Sequence, residues 1–185
     1  MIGYLTGEIK HAQKDKVLLY TGGIGFSVFV PVNHQYQKNE KAELFIHTHF
    51  RDDDLSLFGL PSPEDLDLFE LLISVSGVGP KTGLNIFSKA TRVNIIQAIS
   101  DSNLNFFTSI SGVGKKTAQK IILDLKSKIS KGDINMQNME GDSELYQSLS
   151  SLGFQKNEIQ SIYANIDTTS SIGEQIKQAL KLLNK

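Results

Sequence analysis

The chain contains no cysteine. It can therefore form no disulfide framework, no thiolate metal site and no cysteine nucleophile. It contains no tryptophan either, and no aromatic pocket for a flipped-out base is evident. No apolar run approaches the roughly 20 residues that a membrane-spanning helix needs. The start, Met1-Ile2-Gly3-Tyr4, lacks the charged and apolar regions of a secretory signal. These absences predict a soluble, cytoplasmic protein. Acidic residues are scarce in one stretch only. Residues 71–131 hold 9 basic and 2 acidic groups, net +7. Residues 1–70 hold 6 and 11, net −5, and residues 132–185 hold 4 and 7, net −3. The overall charge of −1 hides a basic segment, and a basic segment is the electrostatic footprint of phosphate binding. A merely solvated lysine face gives no reason for keeping acids off it.

That basic segment says nearly the same thing twice. Leu71-Leu72-Ile73-Ser74-Val75-Ser76-Gly77-Val78-Gly79-Pro80-Lys81-Thr82 is echoed by Phe106-Phe107-Thr108-Ser109-Ile110-Ser111-Gly112-Val113-Gly114-Lys115-Lys116-Thr117. The offset is 35 residues from Gly77 to Gly112 and again from Gly79 to Gly114, so one supersecondary unit is used twice. Each copy runs from an apolar helix through Ser-Gly-Val-Gly into a helix with a basic start. The glycines permit a tight hairpin and leave backbone N–H groups free at the next helix N-terminus, where the dipole also favours an anion. Val78 and Val113 are expected to plug each hairpin into the core. Gly77, Val78, Gly79, Gly112, Val113 and Gly114 are the candidate phosphate-facing backbone. Lys81, Lys115, Lys116 and Lys120 are the candidate cations beside it. The unit resembles the helix–hairpin–helix motif, which grips the sugar–phosphate backbone without reading bases; an ordinary glycine-turned helical hairpin does not explain two copies of one Gly-Val-Gly-x-Lys-Thr core.

Three other chemistries fit the sequence less well. A P-loop needs Gly-x-x-x-x-Gly-Lys followed by Ser or Thr after a strand. Here Ser109 stands at the first glycine, Lys116 follows Lys115, and Pro80 precedes Lys81, so ATP hydrolysis is not expected. Asp52, Asp53 and Asp54 between two strand patterns read as a solvated turn or, alternatively, a nuclease metal site, although Mg²⁺ carboxylates normally converge from separate elements. His47 and His49 share a strand face but show no third ligand. No metal or other cofactor is expected. The catalytic alternative is a helix–hairpin–helix DNA glycosylase or lyase with Lys116 as nucleophile, for which only Asp124 and Asp133 follow nearby.

The chain divides into four parts. Residues 1–62 hold five β-rich runs: 2–9, 16–21, 24–30, 43–50 and 55–60. Such short strands in about sixty residues suggest an OB-type closed barrel. Ser62 before Pro63-Glu64-Asp65 starts a helix, with Leu66, Phe69, Leu72 and Ile73 on one side. Residues 63–130 then read as an all-α module with helices at 63–74, 82–90, 92–100, 104–110 and 116–129. Ile86, Ile95, Ile96, Ile99, Phe107, Ile110, Ile121, Ile122 and Leu125 are its expected core. Gly83 lowers helix propensity by about 1 kcal/mol, and close approach of backbone to DNA is one reason to keep it. Residues 131–141 have no period and read as a flexible linker. Residues 142–185 read as three short helices, 143–152, 155–165 and 171–183. Leu149, Leu152, Phe154, Ile159, Ile162, Leu180 and Leu183 are many large apolars for so small a bundle; they are either all core or partly a docking patch for a protein.

Taken together, these parts resemble one family, the bacterial Holliday junction branch migration protein RuvA. The resemblance spans essentially the whole chain. It rests most specifically on Gly22-Gly23-Ile24-Gly25-Phe26, Thr48-His49-Phe50, Phe58-Gly59, the two Gly-Val-Gly hairpins and Leu152-Gly153-Phe154. It implies an α+β, non-catalytic DNA-binding subunit that assembles as a homotetramer, or as two tetramers around one junction. The implied partners are four-way junction DNA, a RuvB-type ATPase motor and a RuvC-type junction resolvase. By the same resemblance Asp52 and Asp53 take the place of a paired acidic pin at the crossover. Leu149, Leu152, Phe154 and Leu180 take the place of motor-contacting residues. This chain departs from the pattern by a third acid, Asp54, and by a short linker.

Overall fold

A computed structural model describes residues 1–51, 54–130, 144–154, 162, 166 and 172–183. Two compact units are present, Met1–Ile134 and Asn135–Lys185. The first unit begins with β1 (Tyr4–Ala12), β2 (Lys16–Thr21), β3 (Ile24–Phe29), β4 (Lys41–Arg51) and β5 (Asp54–Leu60). Every second residue of each strand turns inward, so Leu5, Ile9, Val17, Leu19, Val28, Leu44 and Ile46 fill one interior. The strands close in the order β1-β2-β3-β5-β4. Only β3 and β5 pair in parallel; the other pairings are antiparallel. This is the expected five-stranded OB-type barrel.

β5 hands over to α1 (Pro63–Ile73) through a built helix start. The Ser62 hydroxyl accepts from the Asp65 N–H at 3.1 Å, Pro63 fills the first helical position, and Glu64 and Asp65 face the positive end of the dipole. The remaining helices are α2 (Pro80–Lys89), α3 (Arg92–Ser100), α4 (Leu104–Thr108) and α5 (Lys115–Ser130). All nine core residues expected from periodicity are buried. On α1 the pattern differs from expectation. Leu68, Phe69 and Leu72 are fully buried, while Leu66 and Ile73 are half-buried. The reason is that α1 packs on β4 and β5 as well as on α2 and α5, so its buried face is wider than one stripe.

Gly83 serves packing instead of the expected approach to DNA. A Cβ there would lie 2.8 Å from Phe69 Cε2 and 3.0 Å from Ile73 Cγ2. The missing side chain serves the packing of α2 on α1, and Gly83 is buried rather than open to a nucleic acid. The same contact belongs to an aromatic seam that joins barrel to helices. Phe29 stacks on Phe58 at 5.4 Å, Phe58 on Phe69 at 6.1 Å, and Phe69 meets Phe87 at 6.5 Å. The Val32 N–H donates to Ser88 Oγ at 2.8 Å beside it.

The second unit contains α6 (Glu144–Ser151) and α7 (Ile172–Leu183). Leu145, Leu149, Ile162, Ile166 and Ala179 form its core, with Phe154, Ile172, Ile176, Leu180 and Leu183 packed around them. Gly153 turns the chain after α6 at φ +92°, as expected of Gly153-Phe154. The expected linker 131–141 and most of the expected middle helix 155–165 lie outside the described residues. Among the described residues, no helix is long and apolar enough to cross a membrane.

Candidate nucleic-acid interface

The two sequence repeats fold to the same geometry. In the first, Ser74 caps α1, the Val78 N–H donates to Val75 O at 2.9 Å, and Gly77 has φ +94°. In the second, Ser109 caps α4, the Val113 N–H donates to Ile110 O at 3.1 Å, and Gly112 has φ +89°. Any other residue at either positive φ costs about 1–2 kcal/mol. Val78 and Val113 are both buried, so each hairpin tip is anchored by its valine as expected.

Each hairpin opens into a helix whose N-terminus has no side-chain cap. Gly79 is the N-cap residue of α2 and supplies no capping hydrogen bond; Gly114 stands in the same place before α5. The Gly83 and Ala118 N–H groups bond back to Gly79 O and Gly114 O, both at 2.9 Å. The donors before them in the first turn point outward with the dipole, which is the arrangement that binds phosphate. A Cβ on Gly79 or Gly114 would meet nothing within 4 Å, so the approach is open. Lys81, Lys115, Lys116 and Lys120 are exposed around these termini.

The hairpins also lie against each other, which sequence reading missed. A Cβ on Gly112 would lie 3.2 Å from Thr82 Oγ1, and one on Gly77 would lie 3.5 Å from Thr117 Oγ1. Thr82 and Thr117 are themselves equivalent in the two copies. Reciprocal contact of this kind is the mark of a two-fold relation. The Asn85 side chain adds a hydrogen bond to Ser111 O at 3.3 Å. Two helix ends without side-chain caps are thereby held side by side on the segment carrying net +7. The signal was present in the repeat, since Thr82 and Thr117 recur at the same offset, but only the fold shows what they touch.

The acidic hairpin lies close to the first helix end. Arg51 and Asp54 form the last described pair of β4 and β5. A cleft of about 380 Å³ is lined by residues of that hairpin, including His49, Arg51 and Asp54, and by Gly79, Lys81 and Thr82 of the α2 terminus. Asp54 accepts from Ser56 Oγ at 2.9 Å within its own strand. Asp52 and Asp53 lie outside the described residues. His47 is taken up by Glu70, Nδ1 to Oε1 at 3.0 Å, and no group of three metal-ligating side chains occurs among the described residues. For the lyase alternative, Asp124 follows Lys116 in the same helix, about 12 Å further along the axis, too far to assist that amine.

The other candidate residues are in the second unit. Leu149 is fully buried in its core, so it supports the bundle rather than presenting a surface. Leu180 and Phe154 are half-buried against that core. Leu152 is 58% exposed and is the most available of the four.

Comparison with known proteins agrees with this architecture part by part. Residues 1–59 match the family profile described as RuvA N terminal domain. Residues 69–127 match the profile described as SAM-like Helix-hairpin-helix tandem. Curated relatives align over nearly the whole chain. The Holliday junction branch migration complex subunit RuvA of Thermoanaerobacter pseudethanolicus is 40% identical, covering 100% of both chains. The protein of the same name from Brevibacillus brevis is 34% identical over 98% of this chain and 96% of its own. That of Acholeplasma laidlawii is 33% identical over 100% of both.

Proposed function

The chain belongs to the RuvA family, and from that premise we propose that it binds four-way DNA junctions as the non-catalytic subunit of a branch-migration complex in recombination and repair. The observation that carries this reading is the pair of reciprocally packed hairpins, each ending in an uncapped helix N-terminus on the +7 segment. Such an interface takes phosphates, so it ignores base sequence and weakens as salt rises. Each subunit grips one duplex arm. A homotetramer matches the four arms of a junction by symmetry, and a second tetramer can cover the opposite face. Asp52 and Asp53 form the acidic pin at the crossover, with Asp54 paired to the hairpin base beside the first grip.

The second unit takes the role of docking a RuvB-type ATPase motor. Its exposed Leu152 and half-buried Phe154 and Leu180 offer the contact surface, while Leu149 holds the fold. A RuvC-type resolvase is the further partner when one junction face stays uncovered. The chain supplies no reaction of its own in this scheme; among the described residues, Asp124 lies too far along α5 from Lys116 to assist it.

The test is a gel-shift titration of a four-way junction and of linear duplex with the same arm sequences, with the native mass measured on the same preparation. The reading predicts a tetramer that binds the junction at least tenfold more tightly than duplex. Equal affinities, or a monomer that binds neither, would contradict it.

A further inference from the structure

One cation facing the helical module lies outside the grip described above. Lys16 on β2 is directly opposite Phe29 on β3, Phe29 is opposite Phe58 on β5, and Phe58 is opposite His47 on β4. Directly opposed residues on neighbouring strands project to the same face of a sheet. This face is the one that α1 covers, since Phe58 stacks on Phe69 and His47 reaches Glu70. Lys16 therefore stands on the helical side of the barrel. Its Nζ lies 4.9 Å from the centre of the Phe29 ring. The Lys81 Nζ, arriving from the first turn of α2, lies 5.4 Å from the same centre. One ring thus gathers two ammonium groups to within about a Debye length of each other.

Among the described residues neither lysine forms an ion pair. Like charges brought together repel, and a cation–π contact at an exposed site returns only about 0.5–1 kcal/mol. An anion between them removes the conflict. The repeat suggests why it is needed here. The second hairpin carries two adjacent lysines, Lys115 and Lys116, whereas the first has Pro80 where Lys115 stands. Lys16 restores a second cation to the first hairpin from outside the repeat.

We propose that Lys16 is a further phosphate-binding residue, which with Lys81 clamps the backbone of the duplex arm held by the first hairpin, and that Phe29 is the positioning residue for both ammonium groups. The grip on that arm then extends from the helical module onto the barrel. The inference rests on the phosphate-gripping reading of the hairpins.

The experiment measures junction affinity against salt concentration for the full chain and for Lys16→Gln, Lys16→Arg, Phe29→Leu, Phe29→Tyr and, as a control within the repeat, Lys115→Gln. Lys16→Gln is expected to lower the log–log salt slope by about 0.9, the value for one lost phosphate contact, and Lys16→Arg to keep it. Phe29→Leu is expected to weaken binding and flatten the slope, and Phe29→Tyr, which keeps a ring beneath both cations, to restore them. Unchanged slope and affinity in Lys16→Gln, with a loss in Lys115→Gln, overturns this proposal and leaves the hairpin grip standing. Equal losses in Phe29→Leu and Phe29→Tyr overturn the positioning role. Binding by the unaltered protein that does not depend on salt overturns the phosphate-gripping reading and this proposal with it.

Discussion

Asp65 shows how one residue joins the barrel to the helices. It sits in the first turn of α1, donates its backbone N–H to Ser62 Oγ at 3.1 Å, and faces Arg92 Nε with its carboxylate at 3.7 Å. Burial raises its carboxyl above the ordinary value of 3.8, against the opposing pull of the Ser62 hydrogen bond and the Arg92 charge. A raised acid binds its proton more tightly folded than unfolded. Its contribution to stability is therefore fully present below pH 3.8 and is lost as pH rises through the raised value. Asp65→Asn removes that titration. Thermal melting across the acid range is expected to show a shallower fall with rising pH in the variant than in the unaltered protein. Identical pH profiles would show that burial does not govern this carboxyl.

At the scale of elements, Leu149 and Leu152 on either side of the end of α6 separate packing from surface. Leu149 is fully buried and Leu152 is 58% exposed. Leu149→Ala is expected to cost about 2–5 kcal/mol of stability, with motor binding lost only as the unit unfolds. Leu152→Ala is expected to leave melting unchanged and to weaken binding of a RuvB-type motor. Separate melting and pull-down measurements distinguish the two. Periodicity could not make this distinction, because an apolar residue on a helix looks the same whether its partner is the core or another protein. Other elements were legible to within a few residues. Ser62-Pro63 fixed the start of α1, and Gly-Val-Gly fixed both hairpins, because caps and positive-φ turns are local chemistry. Contacts between elements were not legible. Gly83 clears Phe69 and Ile73, Leu68 faces a second layer, and Thr82 and Thr117 meet the opposite hairpin; each depends on which surfaces the fold brings together.

For the whole molecule, charge is divided by task. In the proposed scheme the helical segment, net +7, attracts phosphates, and the hairpin bearing Asp52, Asp53 and Asp54 repels them. Carboxylates facing phosphates repel more strongly where water is partly excluded, so four such loops at the centre of a tetramer would turn away continuous duplex. Asp52→Asn with Asp53→Asn is expected to raise affinity for linear duplex, to reduce the preference for junctions and to leave the tetramer mass unchanged. A double variant that binds duplex no better at several salt concentrations would reduce the loop to a solvated turn.

Junction binding in this scheme depends on DNA phosphates meeting the open helix ends at Gly79 and Gly114. Gly79 has extended backbone, φ −91° and ψ 170°, and a Cβ at either glycine meets nothing within 4 Å. An aspartate at either position can cap its helix, a change that helps stability by a few tenths of a kcal/mol relative to glycine. It also fills the anion site with a carboxylate. The most direct measurement is junction affinity and melting temperature on one preparation of the Gly79→Asp, Gly114→Asp double variant. A melting temperature equal to or above that of the unaltered protein, with junction affinity reduced at least tenfold, is the predicted result; a folded double variant that binds junctions as tightly as before would contradict the account.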